Sequence, residues 1–480
     1  MTRIGVIAIV LASSVLGWSQ NHYVCARETC SSKTIQDGSD WNKAWDKLPA
    51  QLERGHTYYV AKGTYPGHTF DDEPNSTTPI TIKAATRADH GTNHGWSEAH
   101  VGTAHFNTAS RRRGIFVFLQ PYYIIDGQYR GDDWLSSYGF HVDNSGRVTS
   151  DAEVLLEAHD ITVRYTDVEG SHDNSTGMCG PPPAPGGHLY CDEAFQDFHY
   201  GNILIEYNYI HDQGEATFKL RGSSTRDGSG ALDRFTVQYN IITRNWSEGG
   251  TEGVHGEAFS VSDGVQNLVI RYNKFQDIRG TGVIASASGS SYKGVEVSQG
   301  NFNYNRGNGP WYIYGNLWWY TSPPIANCAV GGFVVLWDVG FRDSVHIYNN
   351  TIANINDNAC PTGTGGNASV NGQGLETAHF GHSAVYVRDN LWVNSNGGVY
   401  LDLSDGEVVE NHNKTEHSGS LFKDPAARNY RLIRHASGGI RLSNLDSQSF
   451  DIDMDGHLRR TWDIGAFEYV DVGAHTGETQ

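Results

Sequence analysis

One motif recurs through the middle of the chain and narrows the folds open to it more than any other feature: alternating apolar residues, an asparagine, then apolar residues again. It occurs in NILIEYNYIHD (202–212), RFTVQYNIITRN (234–245), NLVIRYNKFQDI (267–278), SVHIYNNTIANI (344–355) and AVYVRDNLWVNS (384–395). WYIYGNLWW (311–319) adds a further copy and DITVRYTDVEG (160–170) a variant. The recurring asparagines are Asn208, Asn240, Asn273, Asn316, Asn350 and Asn390, with Asp167 expected in that place in the variant. Each unit reads as strand, sharp turn, strand. A short strand cannot bury its inner face alone, whereas equivalent strands stacked in parallel build a continuous core and pair each backbone group with the coil above or below. Asparagine tolerates the left-handed backbone of a tight turn and can bond to the asparagine of the next coil. The pattern predicts an all-β chain wound as a right-handed parallel β-helix, a solenoid with its asparagines stacked at one turn. From Asn208 to Asn316 successive asparagines lie 32, 33 and 43 residues apart, so loops of unequal length leave some coils. Such loops are expected where one face carries the function.

The ends suit this plan. WNKAWDKLPAQLERGHTYYVAKGTY (41–65) reads as a short amphipathic helix followed by a strand, which predicts an N-terminal capping helix over the open end of the solenoid. The expected division is a signal peptide over 1–20, a cap and lead-in over 21–70, coils with loops over 71–445 and a closing segment over 446–480. Residues 1–20 place Arg3 ahead of the apolar run Ile4–Leu11 and small residues after it, the form of a secretory signal peptide. No later run has the apolar length to span a bilayer, so an exported, extracellular or periplasmic monomer without a membrane partner is expected. Six cysteines fall into the near neighbours Cys25/Cys30, Cys179/Cys191 and Cys328/Cys360, which suggests three local disulfides. No CxxC pair exists, which argues against a thiolate zinc site. The formal charge of −19 argues against nucleic acid as a partner, yet a local basic strip can still hold an anionic polymer.

Three segments align without gaps on a shared Glu-Ala start: EAFQDFH (193–199), EATFKLR (215–221) and EAFSVSD (257–263). Side chains alternate across a strand, so this alignment turns Glu193, Phe195, Asp197 and His199 outward, then Glu215, Thr217, Lys219 and Arg221, then Glu257, Phe259, Val261 and Asp263. With parallel strands about 4.8 Å apart these groups form a compact charged patch. Depolymerising an acidic sugar by β-elimination needs a base for the C5 proton and a cation to neutralise the adjoining carboxylate. Lys219 and Arg221 can supply both, and Glu193, Asp197 and Glu215 can offer oxygen ligands to Ca²⁺. Hydrolysis instead needs two carboxylates across the glycosidic bond, for which Glu215/Glu257 or Glu193/Glu257 have suitable spacing. His199 and His255 are candidate proton carriers, Phe195, Phe259, Trp246 and Trp337 candidate platforms for sugar rings, and Asp263 a candidate substrate contact. The run PPPAPGG (181–187) reads as a rigid loop at the rim of the groove, and RRR (111–113) as a solvated turn.

The 41–65 segment is similar to the opening of many bacterial β-helix proteins of the pectate-lyase-like superfamily. DIDMDGHLRRTWDIGAFEY (451–469) resembles their closing segment, whose last strand ends in D-I-G-A-x-E-Y. HGEAFSVSDGVQNLVIRYNKFQDIRGTG (255–282) resembles in rhythm the catalytic region of lyases of the alginate lyase and chondroitinase B type. It departs from them at Ser262 or Asp263, where their lysine would stand, and at Ser286, where the next coil would offer arginine. The basic pair Lys219 and Arg221 sits one coil earlier. The resemblance implies a polysaccharide substrate and a uronate-directed lyase, with a glycoside hydrolase and a non-enzymatic carbohydrate-binding or adhesin role as alternatives.

Overall fold

The structure, a computed structural model, describes residues 20–30, 35–108, 114–143, 152–170, 195–198, 200–213, 216–222, 232–245, 256–261, 264–278, 282–287, 308–321, 332–337, 343–356, 367–376, 384–405, 407–445 and 448–471, with the backbone alone at 108, 195–198, 287, 337, 373–376 and 402–405. The chain winds through three long sheets. Sheet A has twelve strands from Asn21–Val24 to Glu407–Asn411, sheet B eleven from Gly63–Pro66 to Lys414–Glu416, and sheet C ten from His68–Phe70 to Val399–Asp405. Each coil passes A, then B, then C, and every strand pairs in parallel with its equivalent in the next coil, as in Ile203↔Phe235↔Leu268↔Trp311. This is the expected parallel β-helix.

The corner between A and B explains why the asparagines recur. Asn208 donates its backbone N–H to Oδ1 of Asn240 at 2.8 Å, and its Nδ2 to the same oxygen at 3.1 Å and to the Val163 carbonyl at 3.0 Å. The same set repeats at Asn240, Asn273, Asn316, Asn350 and Asn390, ending on Asn413. These amides are buried, so each satisfies turn groups that water cannot reach. Two expectations are corrected. The left-handed residue is the one before each asparagine (Tyr207, Tyr239, Tyr272, Asn349, Asp389), because the asparagine must turn its amide inward to reach both neighbouring coils. The equivalent position in the 160–170 variant is Thr166, whose N–H donates to Asn208 Oδ1, and Asp167 lies one residue further, within sheet B opposite Tyr209.

The inside of the solenoid is filled by one apolar cluster that runs from Val24 to Trp392. Its N-terminal end is closed without a helix; no α-helix exists among the described residues. Trp41–Lys43 forms a single 3-10 turn capped by Asp40, and Trp45 then bridges Val24, its N–H bonding the Tyr23 carbonyl at 2.9 Å. The segment thus covers the edge strand by pairing with it, which an amphipathic helix could not do. Cys25 and Cys30 are joined by a disulfide, while Cys179, Cys191, Cys328 and Cys360 lie outside the described residues.

The C-terminal segment folds back along the outside of sheet B. Leu421, Phe422, Tyr430, Phe450, Ile464 and Phe467 pack there with Leu317, Trp319, Ala353, Leu391 and Val393. Gly465 and Ala466 donate to the Asp389 carbonyl and to Thr351 Oγ1, both at 2.9 Å or closer. Within this segment Glu468 accepts from the N–H groups of Arg460, Thr461 and Asp463, which holds the final turn of the DIGAFEY stretch.

Candidate functional site on the outer face of sheet C

The three corners of a coil are unlike. From the coil of Ile161–Arg164 onward, sheet A passes to sheet B through no more than two residues, as between Glu206 and Tyr209 or Arg271 and Lys274. Sheet C is reached and left through long connections: residues 170–194, 244–258 and 354–369 lead into it, and 222–231 and 288–310 lead out. Long connections of this kind are where binding and catalytic residues concentrate.

The register on this face differs from the expected one. Phe195 pairs with Phe218, and Phe218 with Phe259, so the strand Phe218–Arg221 is displaced by one residue from the alignment built on the shared Glu-Ala pairs. The core decides this: the Phe218 and Phe259 rings stack at 4.6 Å and 9° inside the solenoid. A one-residue slip moves a strand's side chains to the opposite face. Phe259 and Val261, expected outside, are core residues, and Phe259 is no platform for a sugar. Ser260 turns outward beside Lys219. The Thr217 N–H bonds the Glu257 carbonyl at 3.2 Å, which sets Glu257 opposite Ala216. Glu257, expected as an exposed carboxylate, is 2% exposed, and Thr217 is wholly buried. Asn245 ties them together, its Nδ2 donating to Thr217 Oγ1 and to the Glu257 carbonyl.

Lys219 and Arg221 do project from the outer face, half-buried and exposed respectively, between the inward Phe218 and Leu220. The backbone neighbours of Lys219 are Gln196 and Ser260, and that of Arg221 is Phe198. Asp197 and Trp337 are placed by backbone only, opposite Leu220 and Ala287. His199, Glu193, Glu215, His255, Asp263 and Trp246 lie outside the described residues, as do 111–113 and 181–187. Of the expected Ca²⁺ donors, Glu193 and Glu215 are thus outside the described residues and Asp197 is placed by its backbone alone.

A second polar cluster, on the outer face of sheet B, was not foreseen. Phe140–Asp143, Thr166–Glu169 and Tyr209–His211 lie on successive coils, with His105 on the coil before. His141 shares a hydrogen bond with His105 at 3.0 Å and meets Glu169 at 3.0 Å. His211 lies between Asp167 at 2.9 Å and Asp212 at 2.5 Å, and Arg244 clamps Asp212 with two bonds of 2.6 Å. Burial pulls His211 down, but the hydrogen bonds and charges of Asp167 and Asp212 outweigh it and raise the imidazole to about 9. Burial likewise opposes the charge on Asp212, and Arg244 with His211 overcomes it, holding this carboxyl well below its ordinary range. The alternation in FHVD (140–143) and TDVE (166–169), apolar inside and titratable outside, was the available signal; it carries no shared letter pair to draw the eye.

A shallow trough of about 750 Å³ lies on sheet A, lined by Tyr122, Leu204, Arg234, Val269 and Tyr312 among others. Polar groups in it bond to one another, as in Asn202 to Asp160 and Arg271 to Gln238 at 2.7 Å. The candidate site is placed on sheet C, where Lys219 and Arg221 project from the outer face.

No protein-family model and no curated protein sequence matches the chain. Among solved structures it is similar to the pectate lyase Pel9A, with a TM-score of 0.45 and 12% identity over 94% of this chain and 96% of that one. It is similar to the GH136 lacto-N-biosidase from Eubacterium ramulus, with a TM-score of 0.40 and 11% identity over 83% and 68%. It is also similar to the Streptococcus pneumoniae surface protein and adhesin PfbA, with a TM-score of 0.32 and 11% identity over 75% and 91%.

Proposed function

We propose that this chain is an exported enzyme that cleaves a uronate-containing polysaccharide by β-elimination on the outer face of sheet C. The observation that carries the reading is the sign of the exposed charge there. Of the expected charged residues whose side chains are described, the outward pair, Lys219 and Arg221, is basic, whereas the carboxylate Glu257 is buried. A double-carboxylate hydrolase needs the opposite arrangement. Lys219 and Arg221 stand two residues apart on one strand, about 6.6 Å along the chain, from where two long side chains can converge on one sugar ring.

In the reaction Arg221 pairs with the uronate carboxylate and stabilises the charge that spreads into it as the C5–H bond breaks. Lys219, in its neutral amine form, takes that proton. The electron pair forms the C4–C5 double bond, and the C4–O bond breaks as a proton reaches the departing oxygen. Two residues apart on a rigid strand, base and cation are held in fixed relation before substrate arrives. No step is routed through Ca²⁺; were it bound, Glu193, Asp197 and Glu215 would be its donors. The Cys25–Cys30 disulfide fits an oxidising, exported environment.

The test is to incubate the protein with acidic and neutral polysaccharides while following the absorbance of unsaturated uronates and the release of reducing ends. Both signals rising together on a uronate polymer support the lyase. Reducing ends alone would replace it with a hydrolase, and silence on every polymer would leave a binding protein.

A further inference from the structure

We infer that the outer face of sheet B holds a divalent transition-metal ion between His141, Asp143 and Glu169, with His105 orienting the imidazole. This site is separate from the sheet C face and does not depend on the lyase reading. His141 and Asp143 are two residues apart on one strand and so share a face, and Glu169 lies directly beside Asp143 on the next coil. One ligand atom from each of the three lies within 4.8 Å of the others. That spread is wider than a bound ion would leave, and it closes by side-chain rotation alone because all three are half-exposed on rigid strands.

The donor types select the ion. Ca²⁺ and Mg²⁺ take oxygen ligands, whereas one imidazole with two carboxylates suits Zn²⁺, Mn²⁺ or their neighbours. His141 already has the outer partner that a ligating imidazole uses: one ring nitrogen faces Glu169 at 3.0 Å while the other bonds His105 at 3.0 Å. Three protein ligands leave further positions to water or to an oxygen of a bound molecule, the open form of a metal site. Among the described residues two other groups offer comparable donors. Cys25, Cys30 and His100 are excluded by the disulfide, and His22, Glu53 and His56 serve as the control.

The experiment uses the full chain, stripped with chelator and kept non-reducing, titrated calorimetrically with Zn²⁺, Mn²⁺ and Ca²⁺. One Zn²⁺ should bind, at least tenfold more tightly than Ca²⁺. The double variant Asp143→Asn/Glu169→Gln should lose it while its metal-free melting temperature stays near that of the parent, and His56→Ala should retain it. His105→Gln should weaken binding by about 10- to 100-fold without abolishing it, the range for a partner of a ligating histidine. If the double variant does not fold, anomalous scattering from a zinc-soaked crystal of the parent locates the ion directly. Absence of zinc binding, loss of it in His56→Ala, retention in the double variant, tighter binding of Ca²⁺ than of Zn²⁺, or an ion found elsewhere would overturn the proposal.

Discussion

The A–B corner and the edges of sheet C are built from the same chain on the same coils, yet they obey opposite rules. At the corner every coil from Ile161 onward turns within two residues, and the buried amides of Asn208 to Asn390, with half-buried Asn413 at the end, bond one another and the carbonyls of the coil before. At sheet C the connections differ widely in length, and the strands are held together by packing such as Phe218 on Phe259. A turn whose polar groups are buried admits no insertion, because each extra residue brings a donor and an acceptor with nowhere to bond. A connection that opens to water admits many, since lengthening a loop costs little. Stability is therefore concentrated at one corner and freedom to acquire chemistry at the other.

This contrast can be broken at graded strength. A residue inserted between Asn273 and Lys274 should abolish cooperative folding, seen as loss of the urea unfolding transition. Phe259→Ala should cost about 3–5 kcal/mol in the same measurement, the range for a buried aromatic ring. A cost under about 0.5 kcal/mol would return Phe259 to the surface and undo the register. Asn273→Ala removes the acceptor of two Asn240 donors and the donor to the Val237 carbonyl, and should cost roughly 2–4 kcal/mol.

The His211 cluster gives a smaller, pH-dependent effect. Its folded pKa of about 9 lies above the ordinary 6.5, so its contribution is full below about pH 6.5 and is lost as pH rises through about 9. Unfolding by urea should show a fall on the order of 1–3 kcal/mol across that window, absent in His211→Gln. Smallest of all, two residues inserted after Ser224, on the sheet C side, should change stability by less than about 1 kcal/mol.

The corner was legible in the sequence because its constraint is local: an asparagine flanked by apolar runs announces both the turn and the stacking. What the letters did not disclose was the register on sheet C. The Glu-Ala pairs at 193, 215 and 257 align by identity, but the fold aligns Phe195, Phe218 and Phe259, since core volume outweighs a shared pair of letters. The outward placement of Lys219 and Arg221 survives this shift, because the apolar alternation of their own strand sets it. The 41–65 segment misled for a related reason. Its helical spacing is genuine, but an unpaired edge strand competes for the same backbone, and Trp45 takes the bridge to Val24. On sheet B the two halves of one face could be told apart beforehand: LWW (317–319) and LWV (391–393) are apolar on both sides and lie under the C-terminal segment, whereas FHVD and TDVE alternate and stay open.

The central claim, that sheet C is the working face, is tested most directly by measuring kcat/KM on a cleaved uronate polymer for Lys219→Ala and Arg221→Ala beside the unfolding free energy of each. The account predicts a fall on the order of 10²–10⁴ for Lys219→Ala and a comparable loss for Arg221→Ala, with stability unchanged within about 0.5 kcal/mol. Wild-type turnover in both variants would contradict it and remove this face as the site of reaction.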